Sequence, residues 1–478
     1  NEIDKLRVEI ENIESGKIYD HAFEWRFEFP EVLNNDGDFI GFDVVIGNPP
    51  YIRQEVIKNQ KPYLQTNFIT YSGTADLYVF FVEKGFNILK AKGHFCYIMP
   101  NKWMQAGYGK ALRTYILENQ LQAIIDFGDV QVFEEATTYP CILNASKQNK
   151  HNNFISAAVK TLNSSNKFAA YIKSISNQIK FETLNDETWV ISSDSDQKLL
   201  LRINSNCVSL AEYIDNKSFR GIVTGLTEAF LIDKNKRIDL ISQNSRNKEI
   251  IKSILQGRNI EKYLTPNIEN YILFIPWHFP LHINSNIKGA SIEAELVFKE
   301  DYPAIYNHLL KYKEKLERRN STETGIRYEW YAMQRWASNY YQEFEKPKIM
   351  YQTFQVKPCF IYDEQGLYCN NSMWIISKAD KVLLAILNSK MGWWLISKYC
   401  TAIQNGFQLI WKYFGQIPVP QANPKQREVI TFLVDQILTA KKSDPNADTT
   451  ALETEIDQMV YQLYNLTVEE IKIIESSQ

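Results

Sequence analysis

The chain has 478 residues, of which 45% are hydrophobic and 13% aromatic, so it can bury cores in about two or three domains. Its formal net charge of -3 does not indicate a nucleic-acid binder, but a bound polyanion requires only a local basic surface, so the global charge decides nothing. The six cysteines contain no C-x-x-C pair, and no apolar run reaches the roughly 20 residues of a membrane span. We therefore expect a cytoplasmic protein without disulfides or structural zinc.

Residues 41–145 alternate between short β-like runs and amphipathic helical stretches, the pattern of βα units that build a parallel sheet. Strands are predicted at 42–47, 94–99, 121–127 and 139–145. Helices are predicted at 76–91, with Asp76 as the N-cap, and at 107–119. The first part of the chain is therefore predicted to be an α/β domain.

The first predicted strand, "FDVVIG", is followed directly by Asn48-Pro49-Pro50-Tyr51. Open α/β sheets present ligand-binding side chains at the carboxyl ends of their strands, which is where Asn48 lies. The prolines fix φ at roughly -65°, so Asn48 and Tyr51 stand on a stiff turn. A carboxamide and a proline carbonyl can accept hydrogen bonds from an amino group, and a tyrosine ring can stack on a planar base. The bland alternative is a strand end with an ordinary Pro-Pro turn and a buried tyrosine.

The stretch "FDVVIGNPPY" resembles the catalytic motif of the S-adenosylmethionine-dependent amino methyltransferases. The similarity continues through "TADLYVFFVEKGFNILKAKGHFCYIMPNKW" and "IIDFGDVQVFEEATTYPCIL". Residues 20–145 thus resemble the TaqI-type DNA adenine-N6 methyltransferases and the related restriction-modification and phage-defence enzymes. The resemblance implies an α/β fold, the C-terminal half of a Rossmann-like methyltransferase sheet. It also implies S-adenosylmethionine as cofactor and a target adenine that is flipped out of the duplex.

The resemblance also implies roles for the residues of the motif. Asn48 and Pro49 would bind the adenine N6 amino group, and Pro50 would stiffen the turn. Tyr51 would stack on the flipped base, and Phe133 would close the other side of the base pocket. For Phe133 the alternative is plain core packing.

For the cofactor, Leu77 and Phe81 match positions that pack on its adenine ring, and the alternative for Phe81, as for Phe133, is plain core packing. Asp20 is the nearest candidate for the acidic residue that holds the ribose. The glycine-rich cofactor loop of the family has no counterpart in residues 1–40, and the chain begins with Asn1. We therefore expect a chain that carries about half of a methyltransferase domain and has the upstream methyltransferase or nuclease segment of its parent protein as a partner.

Residues 196–420 contain motifs such as "FRGIVTGLTEAFLID" and "LLAILNSKMGWWLISKYC", in an order that resembles the TaqI-like target recognition domain. The resemblance implies double-stranded DNA as a partner. The stretch 311–336 interleaves basic residues with tyrosine and tryptophan, which suits a surface that faces phosphates. The candidate DNA-binding residues are Arg318, Arg319, Arg327 and Arg335. His278 and His282 are separated by Pro280, so no metal site is predicted.

Four segments are predicted. They are a partial methyltransferase domain at 1–150, a connection rich in Asn, Ser and Lys at 151–195, an α+β target recognition domain at 196–420, and a C-terminal helical pair at 421–478. The predicted function is that of a site-specific, adenine-specific DNA methyltransferase in a restriction-modification or phage-defence system. The alternatives are an amino methyltransferase acting on protein glutamine or RNA guanine, and a DNA-recognition fragment without catalytic activity.

Overall fold

The structure is a computed structural model that describes all residues except 1, 16–27, 129, 134–137, 148–151, 160, 163–166, 185–188, 190–193, 258–259, 265, 379, 404 and 477–478. Within it the chain divides into two compact units, Asn1–Gln197 and Lys198–Gln478. No described helix is both long enough and apolar enough to cross a membrane.

Unit 1 is built on a six-stranded sheet with the order β1-β2-β4-β3-β5-β6. Its strands are β1 (Phe42–Gly47), β2 (Leu89–Pro100), β3 (Gln120–Asp126), β4 (Pro140–Ser146), β5 (Asn153–Ala158) and β6 (Asn177–Lys180). Its helices are α1 (Glu2–Glu14), α2 (Lys61–Asn67), α3 (Tyr78–Asn87), α4 (Lys110–Glu118) and α5 (Phe168–Ile175). Short 3-10 helices are at Pro30–Val32, Lys58–Gln60, Asn101–Met104, Gly107–Gly109 and Phe181–Thr183. The predicted strands at 42–47, 94–99, 121–127 and 139–145 are all present.

The pairing of the strands fixes which ends meet. β1 pairs with β2 in parallel, and β4 pairs with both β2 and β3 in antiparallel fashion. β3 pairs with β5 in parallel, and β5 with β6 in antiparallel fashion. β1, β2 and β3 therefore run in one direction, and their carboxyl ends share one edge of the sheet.

Helix α3 covers one face of this sheet because its apolar residues face β2. Phe86 of α3 and Phe95 of β2 are fully buried, and their stacked rings have centroids 4.6 Å apart. The helix is shorter than the predicted 76–91. Asp76 is also not its N-cap: the N-cap is Leu77, and the Asp76 carboxylate instead accepts a hydrogen bond from the backbone N–H of Gln54 at 3.0 Å.

β1 lies at one end of the sheet and pairs only with β2 among the described residues. Two of its apolar side chains are exposed, Val44 by 56% and Ile46 by 75%. The strand is thus an open, apolar edge, which is the kind of edge that pairs readily with another segment.

At the other end, β5 and β6 come from the stretch predicted as a connection, 151–195. Phe154 and Ile179 anchor these two strands, since both side chains are buried. The short apolar alternation in this stretch is masked by the surrounding Asn, Ser and Lys residues. The sheet therefore continues past residue 150.

Unit 2 is an α+β assembly, as predicted. Its strands are β7 (Val208–Ser209), β8 (Ser218–Arg220), β9 (Leu231–Asp233), β10 (Ile251–Leu255), β11 (Asn270–Leu273), β12 (Lys348–Gln352), β13 (Phe354–Gln355), β14 (Phe360–Asp363), β15 (Tyr368–Cys369), β16 (Met373–Ile376), β17 (Thr401–Ile403), β18 (Gly406–Gln408) and β19 (Pro418–Val419). Two four-stranded sheets, β15-β10-β11-β9 and β14-β12-β16-β8, contribute side chains to one large hydrophobic cluster of this unit.

Helices pack around these sheets. They are α6 (Asp194–Asn206), which includes the division between the units, α7 (Leu210–Tyr213), α8 (Thr227–Phe230), α9 (Lys234–Gln243), α10 (Ile292–Asp301), α11 (Pro303–Leu310), α12 (Lys313–Arg318), α13 (Lys381–Asn388), α14 (Lys390–Tyr399), α15 (Trp411–Phe414), α16 (Pro424–Ser443), α17 (Thr450–Leu463) and α18 (Val468–Glu475). Short 3-10 helices are at Ser245–Glu249 and Tyr341–Glu345. The predicted C-terminal pair is α16 and α17, and the short α18 follows it. α16 and α18 each begin with a capping box, which explains their sharp starts.

A buried ion pair joins the neighbouring strands β12 and β14. Lys348 and Asp363 face each other across the ladder, their side chains are fully buried, and they form a salt bridge. Lys348 also donates to the carbonyl of Phe344, and Asp363 accepts from the backbone N–H groups of Gln365 and Leu367, each at 2.9 Å. The pair is thus fully satisfied, which is the condition for burying charges.

Candidate active site

The turn Asn48-Pro49-Pro50-Tyr51 follows β1 at the shared carboxyl edge. Asn48 is exposed, and its carboxamide makes no hydrogen bond to a described residue. Pro49 is buried beneath it, Pro50 is exposed, and Tyr51 is half-buried. The sheet therefore presents a carboxamide with its hydrogen-bonding capacity unused.

Tyr51 is held by β2. Its hydroxyl donates to the carbonyl of Ile98 at 3.1 Å, and desolvation by burial, with a smaller effect from Cys141, raises its pKa to about 12. The phenol therefore stays protonated near neutral pH, which suits a stacking surface better than a general base.

Phe133 lies next to Tyr51, although 82 residues separate them in sequence. The two ring centroids are 6.4 Å apart, with an edge-on interplanar angle of 68°. Phe133 follows β3, and Tyr51 follows β1, so the shared carboxyl edge is what brings the rings together. A base entering between them would be sandwiched if Phe133 turned its face toward Tyr51.

The residues after this turn are pinned to the start of α3. The backbone N–H of Leu77 donates to the carbonyl of Ile52 at 2.9 Å, and the N–H of Gln54 donates to Asp76 at 3.0 Å. Burial raises the pKa of Asp76. Hydrogen bonds thus join the segment that follows Tyr51 to the start of the helix, which carries Leu77.

An apolar recess of about 450 Å³ opens on α3. Leu77 and Phe81, the two residues predicted to pack on the cofactor, both line it, and Phe81 is 38% exposed. The remaining lining residues are Asn59, Gln60, Tyr63, Leu64, Phe68, Phe80 and Lys84. A recess of this size and character accepts a flat ring system, since small-ligand pockets measure about 300–1,000 Å³.

The buried carboxylate of Glu83 lies outside the lining of this recess and holds the loop next to it. It accepts hydrogen bonds from the backbone N–H of Ile69 at 3.2 Å and of Thr70 at 2.8 Å. These bonds hold the loop that precedes α3 against the helix, and Phe68 then packs edge-on against Phe80. The hydrogen bonds to Glu83 thus fix the position of the loop that carries Phe68, a residue of the recess lining.

Sequence reasoning missed a further polar residue at the same edge. Asp126 ends β3, and its carboxylate accepts from the Asn101 side chain at 2.9 Å and from the backbone N–H of Gly128 at 3.0 Å. Burial raises the pKa of Asp126. The available signal was the same as for Asn48, a polar residue that closes an apolar strand, here in "AIIDFG".

The structure places the predicted DNA-binding arginines in different settings. Arg318 is 79% exposed and pairs with Glu314 at 2.8 Å, and Arg327 lies 3.7 Å from Glu323. Arg335 is exposed and has no ion pair among the described residues. All three stay predictions.

Arg319 requires a correction. Its guanidinium donates to the carbonyls of Thr224 at 2.8 Å, of Trp330 at 3.1 Å and of Ala332. Burial lowers its pKa to about 10, so it remains charged at neutral pH. A guanidinium engaged with three carbonyls holds loops together and is not available to a phosphate.

Two further predictions concern the cofactor-binding candidate Asp20 and the metal site. Asp20 lies outside the described residues. His278 contacts Glu329 at 2.9 Å through Nδ1, and the described residues contain no group of three or more side chains that could hold a metal ion.

Comparison with protein families gives two matches along the chain. Residues 1–133 match the Eco57I restriction-modification methylase family, and residues 252–419 match the TaqI-like C-terminal specificity domain. The first match contains the Asn48 turn, Tyr51 and Phe133.

Two curated relatives match this chain over different lengths. The chain is 23% identical over 465 residues to the Type II methyltransferase M.BstVI of Geobacillus stearothermophilus, covering 92% of this chain and 76% of the relative. It is 32% identical over 174 residues to the Type II restriction enzyme and methyltransferase RM.Eco57I of Escherichia coli, covering 34% of this chain and 17% of the relative.

Among solved structures, the chain is similar in fold to the Type IIL restriction-modification enzyme MmeI, which was solved in complex with DNA. The TM-score is 0.56 at 13% sequence identity, covering 91% of this chain and 56% of the MmeI chain. The chain thus spans little more than half the length of that enzyme.

Proposed function

We propose that this chain, which combines an Eco57I-type restriction-modification methylase region with a TaqI-like C-terminal specificity domain, methylates adenine N6 in double-stranded DNA. The relatives are Type II methyltransferases, and the methyltransferases of this group use S-adenosylmethionine. The observation that carries the proposal is the unpaired Asn48 carboxamide beside the Tyr51–Phe133 ring pair at one edge of the sheet.

The target nitrogen would be bound by the turn itself. Asn48 Oδ1 and the Pro49 carbonyl accept the two N6 hydrogens, which orients the nitrogen lone pair away from the turn. Tyr51 and Phe133 contact the two faces of the base. Such a sandwich requires a base outside the helical stack, and two aromatic contacts offset the unstacking cost of a few kcal/mol.

The recess on α3 fits the adenine end of the cofactor. Leu77 and Phe81 offer apolar contact to a flat ring, and Lys84 and Asn59 supply polar groups at the rim. S-adenosylmethionine, when bound, supplies an electrophilic methyl group. The described residues of the site contribute binding and orientation, through the carboxamide of Asn48, the rings of Tyr51 and Phe133 and the apolar lining of the recess.

Unit 2 and the exposed edge of β1 each indicate a partner. Unit 2, with its specificity-domain match, would bind the DNA duplex. An upstream segment of the parent protein would cover the open edge of β1, since Val44 and Ile46 are exposed there.

The test is a tritiated-methyl assay on duplex DNA with the intact protein. Asn48→Ala and Tyr51→Ala should abolish transfer and leave DNA affinity nearly unchanged. Asn35→Ala, which removes an exposed carboxamide of the same unit from a surface turn, is the matched control and should retain activity. Parallel reactions contain RNA or protein in place of DNA, and transfer to either of these but not to DNA adenine contradicts the proposal, as does full activity of Asn48→Ala.

A further inference from the structure

Unit 2 contains a polar recess that none of the roles above uses. Its volume is about 320 Å³, which is near the lower limit for small-ligand sites and suits one small ring system. Its lining residues are Ile222, Val223, Thr224, Gly225, Thr227, Leu231, Ile254, Gln256, Ile272, Gln334, Asn370 and Asn371. Aliphatic side chains thus form one part of the lining, and carboxamides and hydroxyls form the other.

Close backbone contacts fix the shape of this recess. Gly225 has φ +78°, and a Cβ there would lie 2.8 Å from Arg319 Cδ and 3.0 Å from Gln334 Oε1. The Arg319 guanidinium also binds the Thr224 carbonyl at 2.8 Å. Next to the lining residue Ile222, a Cβ on Gly221 would lie 2.0 Å from the carbonyl oxygen of Asn370. The backbone at Gly221 and Gly225 is therefore packed so closely that a larger residue at either position would clash.

Two carboxamides in the recess are unused. The side chains of Gln334 and Asn371 make no hydrogen bond to any residue that the structure describes. Asn370 differs, since its side-chain oxygen accepts from Ser372 Oγ at 2.6 Å. Gln334 and Asn371 thus offer donors and acceptors to a ligand at no cost in internal hydrogen bonds.

Two arginines lie on backbone segments that contact the lining of the recess. The Arg220 Nε donates to the backbone carbonyl of Asn371 at 2.9 Å, and Arg335 pairs through its backbone with Val223. Both side chains are exposed, and neither forms an ion pair with the described part of the chain. A ligand suited to these residues has a flat polar edge for the carboxamides and negative charge nearby for the arginines.

We propose that this recess binds the edge of a nucleobase in the DNA, with Gln334 and Asn371 on the base and Arg220 and Arg335 on flanking phosphates. Carboxamides match the adjacent donor and acceptor of adenine, so an adenine is the expected base. Arg319 is a positioning residue, because it holds the Thr224 wall. The inference rests on the proposed function only in that the bound polymer is duplex DNA.

The experiment is a binding selection from random duplexes with the full chain, followed by salt titration of the selected sequence. The unsubstituted full chain should select a consensus that contains a fixed A·T pair. Gln334→Ala should relax that position about 10-fold or more and leave the salt dependence unchanged, because a carboxamide releases no counterion. Arg335→Ala should weaken all sequences alike and reduce the salt slope by about 0.9.

Controls separate this role from a structural one. Gln421→Ala removes an exposed glutamine outside the recess and should select the same consensus, with the same salt dependence, as the unsubstituted chain. Gln334→Glu keeps the shape of the side chain and should also lose the A·T preference, which covers the case of a poorly folded alanine variant. An unchanged consensus in both Gln334 variants, or no consensus from the parent, overturns the inference. Because selection needs no methyl transfer, an inactive but selective protein refutes only the proposed function.

Discussion

Substitution of Arg319 tests whether this residue contacts DNA or stabilises the fold through its hydrogen bonds to backbone carbonyls. Arg319→Lys keeps the charge but replaces a planar fork by a single ammonium group, which cannot reach all three carbonyls in the same geometry. The guanidinium also lies over the rings of Phe230 and Tyr328, with distances of 5.7 Å and 5.5 Å to their centroids. The substitution therefore acts mainly on the fold.

The expected loss follows from these contacts. A hydrogen bond to a charged group contributes about 1.5–3 kcal/mol, and we expect the lysine to lose at least one of the three. The free energy of unfolding should fall by about that amount, roughly a 10- to 100-fold change in the ratio of folded to unfolded protein. Arg319→Met should cost more, because it leaves the carbonyls of Thr224, Trp330 and Ala332 without their donor.

The assay pairs urea denaturation with a salt titration of DNA binding. A positioning role predicts a lower unfolding midpoint and an unchanged salt slope for Arg319→Lys and Arg319→Met. Arg318→Ala serves as a comparison, because its side chain is 79% exposed and should affect stability little. A reduction of the salt slope by about 0.9 in Arg319→Met, with an unchanged unfolding midpoint, would refute the reasoning.

Three further predictions concern the site and the core. Phe133→Ala should lower kcat/KM for DNA methylation by about 5- to 150-fold, the equivalent of one lost base–aromatic contact of about 1–3 kcal/mol, while Phe133→Tyr should retain most of it. Lys348→Met should destabilise the protein by about 3–5 kcal/mol in denaturant unfolding, and adding Asp363→Asn should restore part of this by removing the uncompensated charge. The pKa of Tyr51 is raised from 10.0 to about 12, so the stability linked to it is complete below pH 10 and is lost as the pH rises toward 12; Tyr51→Phe should lose less stability across that interval.

The sequence was sufficient for the strands of the α/β sheet and for the turn that ends β1, because both depend on local pattern. The run "FDVVIG" predicts a strand by composition, and the prolines after it predict where the strand stops. The partnership of Tyr51 with Phe133 followed only from family resemblance, since pattern alone cannot state which strand ends meet. The antiparallel insertion of β4 between β2 and β3, which sets that edge, is a tertiary feature.

The sequence was insufficient where side-chain function depends on distant backbone. Arg319 and Arg318 are neighbours in a basic stretch and look equivalent in sequence, yet one is engaged with carbonyls up to 95 residues away and the other points to solvent. Asp76 has the residue type and position of an N-cap, but the N–H of Gln54 competes for its carboxylate. Neither outcome could be read from periodicity or propensity.

Two hydrogen bonds join residues 52–54 to residues 76–77, one between backbone groups and one from the Gln54 N–H to the Asp76 carboxylate, and they have an energetic consequence for how ligands bind. Ile52 and Gln54 follow the turn that would hold the base, and Leu77 belongs to the recess that would hold the cofactor. A ligand that orders either segment lowers the entropy cost of ordering the other. Cofactor and DNA would then each raise the affinity for the other by the same factor, since coupling free energy is reciprocal. Two hydrogen bonds in a connecting loop would thus make methyl donor and methyl acceptor cooperative ligands.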